Sequence, residues 1–170
     1  MQDFNKKLNF PEFAKDNKLN LSNLLMNNNQ LIPNDMVAGT IISVLYSKEK
    51  YSLIEKFIES IDFDMDEKII NGAKAASNIM AMNNIFYRGK HYLGSDYEKV
   101  AASLRMNIYT KHGIDKKYFE FFSLAVSFIN GCEFCVKSHS KLLEKEGMSK
   151  EQIHEALRIA SIINTIREDY

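Results

Sequence analysis

Apolar residues recur at helical spacing through most of this chain, and no stretch sustains the alternation of a half-buried strand. From Asp35 to Ser47, Met36, Val37, Ile41, Val44 and Leu45 fall near i, i+4 and i+7, just after the break at Pro33. Tyr51 to Ile61 repeats the pattern with Leu53, Ile54, Phe57, Ile58 and Ile61. Glu67 to Met82 is rich in Ala and Met, which suits close helix packing, and Asn83-Asn84 then reads as a boundary or kink. A further helix is expected from Lys116 behind an Asp115 cap, carrying Phe119, Phe122, Leu124, Ala125, Phe128 and Ile129 to the break at Asn130-Gly131. The next runs from Cys132 to Leu143. Gly147 ends a helix, and Ser149-Lys150-Glu151-Gln152 reads as a capping box that opens the last one. Along that helix Ile153, Ala156, Leu157, Ala160 and Ile163 share a face. The expected fold is all-α.

Only two prolines and seven glycines interrupt 170 residues, which leaves room for long helices in a single domain. Ala75 to Leu93 resembles Ser123 to Leu142: an Ala-rich apolar helix, an Asn near its end, then an aromatic and basic segment. Aligned so, Asn83 or Asn84 stands opposite Cys132. One reading is two related halves, about 1–100 without thiols and about 101–170 with them; the other is two similar amphipathic helices.

Charge narrows the partners. The 22 basic and 22 acidic residues cancel and form no basic stripe, which argues against nucleic acid. No apolar stretch approaches a bilayer span, and Gln2-Asp3-Phe4-Asn5-Lys6-Lys7 lacks the apolar core of a signal peptide, so a cytoplasmic protein is expected. A net charge of zero gives weak protection against self-association and so permits an oligomer.

The chemistry concentrates in Asn130-Gly131-Cys132-Glu133-Phe134-Cys135-Val136-Lys137-Ser138-His139, which holds both cysteines of the chain. A crosslink across so small a loop removes little entropy from the unfolded chain, so stabilisation is a poor reason for it. In a reducing compartment such a pair is redox-active or metal-binding. At a helix start, Cys132 and Cys135 lie on one face at i and i+3, where unpaired N–H groups and the helix dipole favour a thiolate. His139 follows Cys135 by one turn and can exchange protons near neutrality. Glu120, within Tyr118-Phe119-Glu120-Phe121-Phe122, is either turned to water or buried with a partner. Zinc is the rival: Cys132, Cys135 and His139 are acceptable ligands, but a closed structural site needs four. His91, His112 and His154 have no clustered partners, and a helix surface explains Tyr87 and Arg88 as well as function does.

Four blocks of sequence resemble the alkyl hydroperoxide reductase AhpD family. They are Phe10 to Leu21, Met82-Asn83-Asn84-Ile85-Phe86-Tyr87-Arg88-Gly89, Leu104-Arg105-Met106-Asn107-Ile108, and Phe119-Glu120 through Cys132 to His139. The resemblance covers roughly residues 8 to 166, and its central motif is Glu-x11-Cys-x2-Cys-x3-His. It implies an all-helical fold of two related halves, commonly a homotrimer, that returns the peroxiredoxin AhpC to its thiol state. Electrons would arrive from dihydrolipoamide on a dehydrogenase-complex acyltransferase, reduced in turn by dihydrolipoamide dehydrogenase; no tightly bound cofactor is implied. A weak hydroperoxidase activity accompanies that role. By position, the resemblance makes Cys135 the attacking thiol and Cys132 the second thiol that closes a Cys132–Cys135 disulfide. Glu120 and His139 match the proton-relay positions. One departure stands out: the family usually places a histidine immediately before the second cysteine, where this chain has Phe134. The wider carboxymuconolactone decarboxylase superfamily includes C-x-x-C-x-x-x-H members without that histidine. A decarboxylase-type enzyme and a helical module with structural zinc are therefore the competing functions.

Overall fold

The computed structural model of the chain describes residues 1–26 and 31–170. Among these are eight α-helices: α1 (Lys15–Met26), α2 (Asn34–Ser47), α3 (Tyr51–Ile58), α4 (Glu67–Leu93), α5 (Ile108–Lys111), α6 (Lys116–Ile129), α7 (Glu133–Lys145) and α8 (Lys150–Asn164). No strand occurs among the described residues. The all-α expectation holds.

Helix α2 lies at the centre because it is apolar all round, which only full burial accommodates. Every residue from Met36 to Leu45 is buried, and α3, α4, α6 and α8 pack against it. Thr40 and Ser43 survive there by bonding back to the carbonyls of Met36 and Thr40. Gly39 lets α6 approach: a Cβ on it would stand 2.3 Å from the ring of Phe122. Around this axis α6 packs on α4, α7 and α8, and α4 and α8 also reach α7, so the thiol-bearing helix rests on three supports.

Two expectations need correction. Asn83-Asn84 neither ends nor breaks a helix, for α4 runs unbroken from Glu67 to Leu93. Asparagine is a poor helix former because its amide competes for backbone groups. Here both amides are buried and engaged elsewhere: Asn84 Nδ2 donates to Ser127 Oγ at 2.9 Å, and Asn83 Nδ2 to Tyr109 Oη at 3.1 Å. Tertiary bonds thus override local preference. Helix α3 stops at Ile58 rather than Ile61, its last residues closing instead through i to i+3 bonds such as Ser60 N–H to Phe57 O. The caps follow the sequence. Asp115 accepts from Lys117 N–H at 2.7 Å, and Ser149 and Gln152 form the reciprocal capping box.

Candidate active site

The turn that delivers the cysteines is built by a glycine. Gly131, at φ +67°, donates its N–H to Phe128 O, and Cys132 N–H reaches back to Ser127 O at 3.1 Å. That left-handed residue closes α6 and turns the chain into α7. Neighbours on α4 hold the turn from below. Arg88 donates to the Asn130 carbonyl, and Asn130 Nδ2 donates to Asn84 Oδ1 at 3.0 Å. Arg88, undecided from sequence, is therefore a brace for the active turn.

Cys132 is the N-cap of α7, with its sulfur accepting the Cys135 N–H at 3.3 Å. The two cysteines form a disulfide with their Cα atoms 5.3 Å apart. They are not equivalent. Cys135 lines a cavity of about 360 Å³, whereas Cys132 is fully buried behind it.

Glu120 and His139 come from different helices and meet in that cavity wall. His139 Nδ1 lies 2.6 Å from Glu120 Oε2, and the two side chains are only 7% and 6% exposed. The carboxylate alone in its aromatic run has thus taken the second of the two options open to it, burial with a partner. Holding Nδ1 fixes the imidazole plane and leaves Nε2 for other partners. All four sequence-derived candidates, Cys132, Cys135, Glu120 and His139, gather at one place, three of them on one cavity. Among the described residues no cluster of three His, Cys, Asp or Glu is disposed to hold a metal ion.

Phe134 stands at the rim, 55% exposed, stacked on Tyr87 with ring centres 5.3 Å apart and planes inclined by 23°. Tyr87 therefore belongs to the site as well. His112 stacks on Phe119 at 4.3 Å, His91 sits near the end of α4, and His154 is exposed on α8; none lines the cavity. Sequence reading missed Asn83 and Tyr109, which both line it. Burial pushes the Tyr109 phenol up to about 12. No local signal pairs residues so far apart, and the Asn was spent on a supposed helix end.

Fold and site together define a class, the helical proteins that carry a C-x-x-C pair beside a Glu–His couple. Residues 95–167 match the model of the carboxymuconolactone decarboxylase family, a span that includes Glu120, Cys132, Cys135 and His139. An alkyl hydroperoxide reductase AhpD of Coxiella burnetii (strain RSA 493 / Nine Mile phase I) is 42% identical over 160 residues, 93% of this chain and 90% of its own. That of Corynebacterium kroppenstedtii is 42% identical over 164 residues, 96% of this chain and 93% of its own. That of Rhodococcus erythropolis is 39% identical over 159 residues, covering 94% and 88%. The chain belongs to the alkyl hydroperoxide reductase AhpD family.

Proposed function

We propose that this chain is a dithiol peroxidase and disulfide reductase that cycles through Cys132 and Cys135. The observation that carries the reading is the sharing of one cavity by a helix-start cysteine and a buried Glu120–His139 couple. In the reduced state the positive end of the α7 dipole and the adjacent Glu120–His139 couple favour a thiolate on Cys135. Its proton passes to the Glu120–His139 couple. The thiolate attacks the distal oxygen of R–O–O–H, forming an S–O bond as the O–O bond breaks, and the couple returns the proton to the departing alkoxide. Cys132 then attacks the Cys135 sulfenic acid, releases water and closes the disulfide. The dithiol loses two electrons and the hydroperoxide gains them.

An external dithiol reopens the disulfide by exchange through a mixed disulfide. Dihydrolipoamide, borne on an acyltransferase and renewed by dihydrolipoamide dehydrogenase, is the donor we propose. Oxidised AhpC is the proposed protein partner, joined through Cys135, the thiol that faces the cavity. A homotrimer of chains with two related halves is the proposed assembly. Among the described residues no helix is long and apolar enough to cross a membrane, and we place the activity in the cytoplasm.

The test is peroxidase turnover of the purified protein with dihydrolipoamide and dihydrolipoamide dehydrogenase, against cumene hydroperoxide and against oxidised AhpC. Turnover of either substrate that vanishes in Cys135→Ser is the expected result. Absence of turnover with both would remove the reading.

A further inference from the structure

Two polar groups in the cavity wall have no task in the cycle just described. Asn83 and Tyr109 line the cavity together with Cys135, Glu120 and His139. Asn83 Nδ2 donates to the Tyr109 oxygen at 3.1 Å, so that oxygen serves as acceptor and its own proton is free to go elsewhere. Among the described residues no acceptor takes that proton. Asn83 Oδ1 likewise has no partner among them, in a residue only 3% exposed. A buried polar atom left open in this way is uncommon, and a catalytic role is one of the few explanations for it. The ring is fixed as well, edge-on to Phe119 with centres 5.6 Å apart.

We propose that the Tyr109 hydroxyl donates a hydrogen bond to the oxygen that departs when Cys135 cleaves a hydroperoxide, and that Asn83 positions it. The proposal rests on the peroxidase reading above. In the step concerned, Cys135–S⁻ and R–O–OH become Cys135–S–OH and R–O⁻. Negative charge moves from sulfur to the alkoxide oxygen, and a fixed donor beside that oxygen stabilises it as it forms. The proton still comes from the Glu120–His139 couple; Tyr109 keeps its own. The phenol, held by burial at about 12, stays protonated at physiological pH and donates without ionising, as an ordinary phenol also would. The assignment also gives a division of labour. The Tyr109–Asn83 pair serves oxygen departure, whereas disulfide exchange with a dithiol produces no alkoxide and has no use for it.

The experiment separates the two half-reactions. Pre-reduced wild type, Tyr109→Phe, Asn83→Leu and the double variant are mixed rapidly with cumene hydroperoxide and quenched by alkylation. The oxidised forms are separately reduced with dihydrolipoamide. Loss of one such hydrogen bond should lower the ratio of oxidation rate to reduction rate by about tenfold in Tyr109→Phe. Asn83→Leu should lower the same ratio, and should lower it no further once Tyr109 is Phe, as expected of a residue acting through another. Both half-reactions slowing together would mean a scaffold role and overturn the proposal, as would an unchanged ratio. A wild type that cumene hydroperoxide does not oxidise removes the peroxidase reading and the proposal with it. A wild type that is oxidised as fast as Tyr109→Phe removes the proposal alone.

Discussion

His139 and Glu120 stand 19 positions apart in sequence, yet their Nδ1 and Oε2 atoms lie 2.6 Å from each other with both side chains buried in the cavity wall. The contact couples α6 to α7 at the level of the thiols. Glu120→Gln keeps an acceptor for the imidazole but removes the group that stabilises a proton on it. The fold should persist while peroxide turnover falls by about 10²–10⁴, the range of an essential acid–base group. Alkylation of reduced Cys135 should also require higher pH. Glu120→Ala goes further, stranding a buried imidazole at a cost of about 1–3 kcal/mol in urea unfolding. An alkylation profile unmoved by Glu120→Gln would reduce the couple to a structural tie.

The thiols should respond unequally to substitution. Cys135→Ser is expected to abolish turnover and leave no sulfenic acid to trap. Cys132→Ser should still accept one oxidising equivalent on Cys135, held as a sulfenic acid or a mixed disulfide. Mass spectrometry of the trapped adduct decides; an adduct on Cys132 reverses the roles.

Phe134 occupies the position where the family usually has a histidine, and its ring stacks on Tyr87. An imidazole can keep that stack and add a proton carrier. Because Glu120 and His139 are already in place, Phe134→His should raise peroxide turnover near neutral pH only severalfold, far below the roughly 10²–10⁴ of an essential group. The pH–rate profiles of both proteins with reduced lipoamide measure it. A loss of activity would assign Phe134 to packing against Tyr87 or to docking.

Gly39 tests the packing that supports the site. A methyl there would meet the Phe122 ring at 2.3 Å, inside a core where Phe122 is fully buried and cannot swing outward. Gly39→Ala should therefore destabilise the protein by about 1–3 kcal/mol despite the better helix propensity of alanine. Urea midpoints of the two proteins give the number, and a more stable variant would contradict the packing described.

Stability should also fall in alkali. Burial raises Tyr109 from 10.0 to about 12, and burial also raises Tyr118, whose hydroxyl donates to Asp35 Oδ1 at 2.8 Å. Where the folded value lies above the unfolded one, the unfolded chain loses its proton first, so unfolding gains ground as pH rises. The contribution of Tyr109 is whole below about pH 10 and is lost between about pH 10 and 12. Urea midpoints across that window should decline, and less steeply in Tyr109→Phe.

The sequence was readable where one chemical signal served one local purpose. The Asp115 cap, the Gly147 stop and the Ser149–Gln152 box each appear as read, because a helix end is decided by the residues at that end. Cys132, Cys135 and His139 were legible as one cluster from their spacing along one helix start, whereas Glu120 stood open between water and burial and joined them only through the family resemblance. Helix α1 was not, for its polar surface leaves only Leu21, Leu24 and Leu25 buried. Asn83-Asn84 misled for the opposite reason: a strong local signal was overruled by partners at Tyr109 and Ser127, which no local pattern announces. The same blindness hid Tyr109.

The deep setting of Cys132 bears on how long such a site lasts under oxidant. A sulfenic acid on Cys135 meets its resolving sulfur three residues away on the same turn. A second peroxide molecule must instead arrive by diffusion. Ring closure is unimolecular and indifferent to peroxide concentration, so it wins this kinetic partition until the oxidant is abundant. Cys132, fully buried, offers free oxidant no surface of its own. Irreversible oxidation then has a single entrance, through Cys135, and the proposed cycle closes that entrance each time the disulfide forms.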